Sequence, residues 1–159
     1  MSEERLGSLP PGVCLRRARA GDQPAIRHLV SANHLNPLSL DWQDFVVAVD
    51  TSDQVLGIGQ VKRHGDGSRE LASIAVVEAR RRQGIAQAII LELMRANPPP
   101  LYLTCRSVMG PYYSRFGFAS LDIEQMPPYF RRLYRLARLM LSAASDENRM
   151  LVMGIFPIG

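Results

Sequence analysis

Apolar positions recur along this chain with two periods, and the switch between them predicts the elements. Val13 and Leu15 alternate with Arg16 across Val13–Ala18, as a half-buried strand requires. Gly21-Asp22 offers a helix cap, and Ala25, Ile26, Leu29 and Val30 follow at helical spacing. Asn33 to Asp41 is polar and is broken at Asn36-Pro37. Phe45–Val49 is an apolar run, Asp50–Gln54 a turn and Val55–Lys62 a second strand, so this stretch predicts a hairpin. His64–Ser68, with two glycines and an aspartate, reads as a loop.

Glu70–Val77 reads as a buried strand carrying Leu71, Ile74, Val76 and Val77. An arginine-rich turn ending in Gly84 follows, then Ile85, Ala86, Ile89, Ile90, Leu93 and Met94 at helical spacing until Pro98-Pro99-Pro100 stops the helix. Leu101–Cys105 is a strand, and Tyr112–Phe116 a short helix closed by Gly117. Phe118–Ile123 is a further strand. Pro127-Pro128 opens a long helix whose stripe is Phe130, Leu133, Tyr134, Ala137, Met140 and Leu141, and Met150–Phe156 is a last strand. Strands interleaved with helices predict an α/β chain, or a mixed sheet with helices on its faces. Residues 1–12 read as a loose tail ending in Pro10-Pro11-Gly12, and residues 13–159 as one domain.

Composition narrows the class. The 159 residues can bury about two-thirds of the unfolded chain's surface, and 47% hydrophobic with 21% charged residues is a globular composition. No apolar run approaches the ~20 residues of a membrane helix. The first ten residues carry Glu3, Glu4 and Arg5 without an apolar core, unlike a secretory signal. Cys14 and Cys105 are too few for a disulfide framework, which points to a reducing compartment, and both read as buried apolar filler. The net charge of +4 comes from 18 arginines and a single lysine, Lys62. That excess fits an anionic ligand or a nucleic acid, and equally a compositional bias in the gene.

Several chemistries are excluded. The lone lysine follows Val61, so there is no Walker loop. Gly57-Ile58-Gly59 begins a dinucleotide fingerprint, but Lys62 stands where the third glycine belongs. No nucleophile elbow occurs, and His28, His34 and His64 lack metal-ligand spacing, so no metal is expected.

Ile74–Ala88 is the informative segment: a buried strand, arginines, Gly84, then a helix. The first amides of a helix have no internal partner, and the macrodipole favours negative charge there. Gly84 removes the side chain where a phosphate would approach, and Arg81 and Arg82 add charge. This describes an anion site, a diphosphate above all. The plain alternative is a basic helix start with its glycine packed on the sheet.

Further on stands Tyr113-Ser114-Arg115-Phe116-Gly117-Phe118. Together, Arg81-x-x-Gly84-x-Ala86 and Tyr113-x-x-x-Gly117-Phe118, in this order and with their flanking strands, resemble the two signature motifs of the GNAT superfamily, the Gcn5-related N-acetyltransferases. The resemblance runs from about Val13 to Phe156. It implies a central mixed sheet of six to seven strands, splayed at an acetyl-CoA site, with helices on both faces. It implies that the pantetheine arm pairs with the backbone of Ile74, Ala75 and Val76. The diphosphate then rests on the amides of Arg82, Gln83, Gly84, Ile85, Ala86 and Gln87, with Arg81 opening the motif.

Acetyl transfer to an amine needs the amine deprotonated, the oxyanion stabilised and the departing thiolate protonated. Tyr113 matches the family tyrosine facing the sulfur and is the candidate acid; a packed core phenol is its alternative. Tyr112 reads as core. Glu70 matches a glutamate that serves as base in one branch; in a regular strand residues 70, 72, 74 and 76 share a face. A solvated carboxylate at a strand start is its alternative. Arg106 stands where many relatives carry asparagine. Asn33–Trp42, the hairpin turn and the segment leading to Tyr129 are expected to line the acceptor pocket.

The resemblance thus implies a cytoplasmic N-acetyltransferase using acetyl-CoA and a primary amine, without metal or membrane. A non-catalytic acyl-CoA-sensing module on the same fold is the alternative. A nucleic-acid protein using Arg131, Arg132, Arg135 and Arg138 ranks last, since a solvated helix face explains that set. The same helix lengthens the usual link between the last two strands and is a candidate homodimer surface.

Overall fold

The structure, a computed structural model, describes residues 8–140 and 148–159. Most of the expected tail, residues 1–7, and the end of the long helix beyond Met140 lie outside the described residues. Among the described residues there are seven strands: β1 (Cys14–Arg17), β2 (Phe45–Val49), β3 (Val55–Arg63), β4 (Arg69–Val76), β5 (Leu101–Arg106), β6 (Ala119–Ser120) and β7 (Met150–Ile155). The helices are α1 (Gln23–Ala32), α2 (Ile85–Ala96), α3 (Gly110–Ser114) and α4 (Pro128–Met140). The strands form one mixed sheet in the order β1-β2-β3-β4-β5-β7-β6. Its β1/β2, β2/β3, β5/β7 and β6/β7 pairs are antiparallel, and β4 and β5 run parallel, in register at Glu70 and Tyr102.

Two compact units divide the chain. One comprises Met1–Lys62 with Leu71–Asn97, the other Arg63–Glu70 with Pro98–Gly159. In the first, Ile26, Leu29 and Val30 of α1 pack with Phe45, Val47, Val49, Ile58 and Ala75 in one buried cluster. On β3, Gly57 and Gly59 point opposite to Ile58. A Cβ on Gly59 would stand 2.6 Å from Ile89 Cγ2, and one on Gly57 3.0 Å from Ile85 Cγ2. The two glycines therefore form the slot that seats α2, on the sheet face opposite α1. Gly57-Ile58-Gly59 is a packing device and no part of a nucleotide fingerprint. In the second unit, Phe130 of α4 is fully buried against Tyr102, Met126 and Val152.

Five expectations need correction. The strand expected over Phe118–Ile123 shrinks to Ala119–Ser120, because Asp122 and Gln125 build a reciprocal cap for a 3-10 turn at Ile123–Gln125. Cys14 is exposed on the edge strand β1 rather than buried; Cys105 is partly buried. Asp22 precedes α1 without a side-chain cap bond, since its carboxylate is taken by Arg16 Nη1 at 2.7 Å and the Arg19 amide at 2.7 Å. The α4 stripe holds through Ala137, but Met140 is 75% exposed. Arg131, assigned to the solvated face, donates to the carbonyls of Ile123 and Met126 at 3.2 and 3.0 Å.

Candidate functional site

The candidate anion site rests on how β4 ends and α2 begins. The Val77 amide donates to Leu56 O at 2.8 Å, and a 3-10 turn at Glu78–Arg80 redirects the chain. Arg82 (φ 62°) and Gly84 (φ 83°) are both left-handed, one residue apart. Gly84 adopts that conformation freely; Arg82 bears a strain that the turn imposes. The Ala88 amide donates to Gly84 O at 3.0 Å, the first α-type bond of α2. The amides of Ile85, Ala86 and Gln87 precede it and have no intrahelical acceptor. They sit at the positive end of the helix dipole, beside a residue with no Cβ. A Cβ at Gly84 would approach the Ser8 carbonyl oxygen at 3.5 Å, so the Ser8 backbone lies beside the turn. A left-handed glycine followed by amides with no acceptor among the described residues fits a diphosphate group.

The arginines divide their work. Arg81 donates from Nη2 to Asn33 Oδ1 at 2.9 Å and from Nε to Val76 O at 3.3 Å, so its guanidinium braces the end of β4. Arg80 reaches Gln83 Oε1 at 3.0 Å, and the Arg82 side chain is exposed. Ahead of the turn, Ser73 has φ 57° inside β4. This kink breaks strict alternation, so the shared face expected for residues 70 to 76 does not run through the strand. Ile74 is half-buried, and Ala75 and Val76 are buried. Ser73 Oγ accepts from Gln60 Nε2 at 2.9 Å, and Gln60 Nε2 also reaches Ser39 O at 3.0 Å. Gln60 Oε1 is buried with no hydrogen-bond partner among the described residues. The Asn33–Trp42 segment borders a hollow of about 540 Å³ lined by Gln23, Arg27, Leu38, Leu40 and Trp42.

In the second unit, Tyr113 lies on α3, edge-on to Tyr112 at 5.2 Å and to Phe118 at 6.5 Å. Burial first, then the neighbouring Cys105 and Tyr112, push its phenol up to about 12. The phenol is therefore protonated across the neutral range. Burial likewise lifts the Cys105 thiol to about 11, which leaves it protonated and a poor nucleophile.

Glu70 is buried, not solvated, at 8% exposure. His64 Nε2 lies 2.8 Å from its Oε2, and Thr104 Oγ1 donates to its Oε1 at 3.3 Å. His64 in turn stacks on Tyr129, ring centroids 3.5 Å apart. The Tyr129 amide donates to Asp66 Oδ2 at 2.9 Å, placing a carboxylate at the start of α4. Burial works to raise the Asp66 carboxyl, but bonds from the Ser68 hydroxyl and the Tyr129 and Ser68 amides, with the His64 charge, bring it down to about 2.

His64, Asp66 and Thr104 carry no role in the sequence reading, where 64–68 is simply a loop. The turn closes with the His64 amide on Ser68 O at 2.9 Å. A hairpin closed there puts residues 64 and 70 on one face as diagonal neighbours, the signal that finds the pair. Among the described residues, no group of three or more His, Cys, Asp or Glu is placed to hold a metal, and no helix is long and apolar enough to cross a membrane.

With this geometry in hand, the comparisons are specific. A family model described as acetyltransferase (GNAT) domain matches residues 41–120, and the chain belongs to that family. No curated protein matches the chain. Rv2747 from Mycobacterium tuberculosis, solved in complex with CoA, is similar at TM-score 0.68 and 22% identity, over 91% of this chain and 99% of that one. N-acetylglutamate synthase from Neisseria gonorrhoeae, complexed with coenzyme A and L-arginine, is similar at TM-score 0.69 and 18% identity. That match covers 93% of this chain, which spans 34% of the synthase. Ard1 from Thermoplasma volcanium is similar at TM-score 0.61 and 16% identity, over 92% and 99% of the two chains. At these identities the likeness concerns the fold, a mixed seven-stranded sheet shared with GNAT acetyltransferases. The co-substrate of this family is acetyl-CoA.

Proposed function

We propose that this chain is an N-acetyltransferase that moves an acetyl group from acetyl-CoA directly to a primary amine, its single catalytic domain spanning residues 13–159 and working in the cytoplasm. The observation that carries the reading is the left-handed Gly84 followed by the amides of Ile85, Ala86 and Gln87, which have no acceptor among the described residues, within a family-matched segment. Bound acetyl-CoA supplies an activated thioester. The amides of residues 82–87 hold its diphosphate, while the backbone of Ile74, Ala75 and Val76 pairs with the pantetheine arm. Arg81 holds the turn against β4 through Val76 O. Tyr113, protonated at neutral pH, gives its phenolic proton to the departing sulfur. Glu70 takes the amine proton, directly or through water.

Release of free thiol from acetyl-CoA across amino acids, polyamines, aminoglycosides, lysine peptides and free peptide N-termini tests this reading. Turnover with one amine class is expected. Binding of acetyl-CoA without turnover on any class favours instead a sensing module.

A further inference from the structure

Glu70 sits in a built socket, and the catalytic reading uses only the carboxylate itself. The socket has three layers. His64 Nε2 stands 2.8 Å from Oε2 and Thr104 Oγ1 3.3 Å from Oε1, so each carboxylate oxygen has one neighbour fixing it. Facing an ionised carboxylate, Nε2 is the donor. The His64 ring is then held on both sides. It lies flat on Tyr129, the ring planes 13° apart, and edge-on to Phe130 at 5.5 Å, and Phe130 is fully buried. The outer layer is Asp66, which accepts the Tyr129 amide and so joins the 64–68 turn to the start of α4. Both His64 and Glu70 side chains are about nine-tenths withdrawn from solvent, at 11% and 10% exposure.

A carboxylate that merely ended a strand would need none of this. Burying it costs free energy unless donors replace its water. A base must also be held within a fraction of an ångström of the proton it removes, and a displacement of about 1 Å costs roughly a hundredfold in rate. We propose that His64 is a positioning residue: its imidazole, clamped by Tyr129 and Phe130, fixes the Glu70 carboxylate so that the free lone pairs of its oxygens meet the acceptor amine or its relay water. Thr104 fixes the other oxygen in the same way. This rests on Glu70 being the base.

The test combines kcat for thiol release with acetyl-CoA titration and thermal melting, on the full chain. The acceptor is whichever of spermidine, a lysine peptide and a free-N-terminus peptide the wild type acetylates fastest. His64→Phe keeps an aromatic ring against Tyr129 and removes the donor. It should lower kcat ten- to a hundredfold with acetyl-CoA affinity unchanged. His64→Gln, whose amide can again donate to Oε2, should recover most of the loss. In a Glu70→Gln background, His64→Phe should cost nothing further. If His64→Phe folds poorly, Thr104→Val carries the same expectation of a selective kcat loss. Wild-type kcat in His64→Phe beside an inactive Glu70→Gln would overturn the positioning role and leave the acetyltransferase reading intact. Losses that multiply in the double variant would overturn action through Glu70. Full turnover in Glu70→Gln would remove Glu70 as base, and the positioning role with it.

Discussion

Asp66 caps a helix that begins far along the chain: its Oδ2 accepts the Tyr129 amide at 2.9 Å, while Oδ1 holds the amide and hydroxyl of Ser68 at 2.9 and 2.6 Å. One carboxylate thus closes the β3–β4 turn and neutralises the start of α4. Its folded pKa of about 2 lies below the ordinary 3.8. The stability it contributes is therefore complete above pH 3.8 and is lost as pH falls from there through about 2. Asp66→Ala should lower stability by about 0.5–1 kcal/mol at neutral pH, the low end for a cap because the side chain is exposed and screened. Melting curves at pH 7 and at pH 2 check this, and the difference between the two proteins should be much smaller at the lower pH, where the folded carboxyl is half protonated.

Gly59 marks where α2 meets the sheet. A methyl there would stand 2.6 Å from Ile89 Cγ2 and 2.7 Å from Ile74 Cδ1. Gly59→Ala should destabilise by roughly 1–3 kcal/mol through overpacking, and Gly59→Val by more. Gly65→Ala, where nothing lies within 4 Å, should be close to neutral. Urea midpoints of the three variants measure it.

Tyr113 should rest in its protonated form throughout the working range. Its phenol is pushed up to about 12 from 10.0, so no alkaline loss of kcat below about pH 10 should trace to it. The folded state holds this proton more tightly than the unfolded one, so the associated stability fades as pH climbs from 10 through about 12. Tyr113→Phe should reduce kcat by roughly a hundredfold or more and leave acetyl-CoA binding intact. Steady-state kinetics with a parallel binding titration separates the two effects.

Much of this was legible beforehand because it is local. The run Phe45–Val49 became β2 with those bounds, and Ile85 opened α2 as the period and Gly84 required. Arg81, Gly84, Ala86 and Tyr113 carried the family resemblance through short-range motifs. What escaped was non-local. Ser73's left-handed backbone leaves no mark on the apolar pattern, so the break in the strand face after Glu70 is invisible in the sequence. The partners of Glu70 come from a turn, from β5 and, behind His64, from α4. Arg131 falls on the polar face of the helical wheel, which does not show the three backbone carbonyls it reaches.

The central claim is that the turn around Gly84 grips the diphosphate of acetyl-CoA. Isothermal titration of acetyl-CoA into the wild type and Gly84→Glu tests it most directly. The substitution forces a side chain into a left-handed position and sets a negative charge beside the first amides of α2. Wild-type binding with at least a tenfold loss in the variant, at matched thermal stability, is the predicted result. Equal affinity in the two proteins would contradict the account.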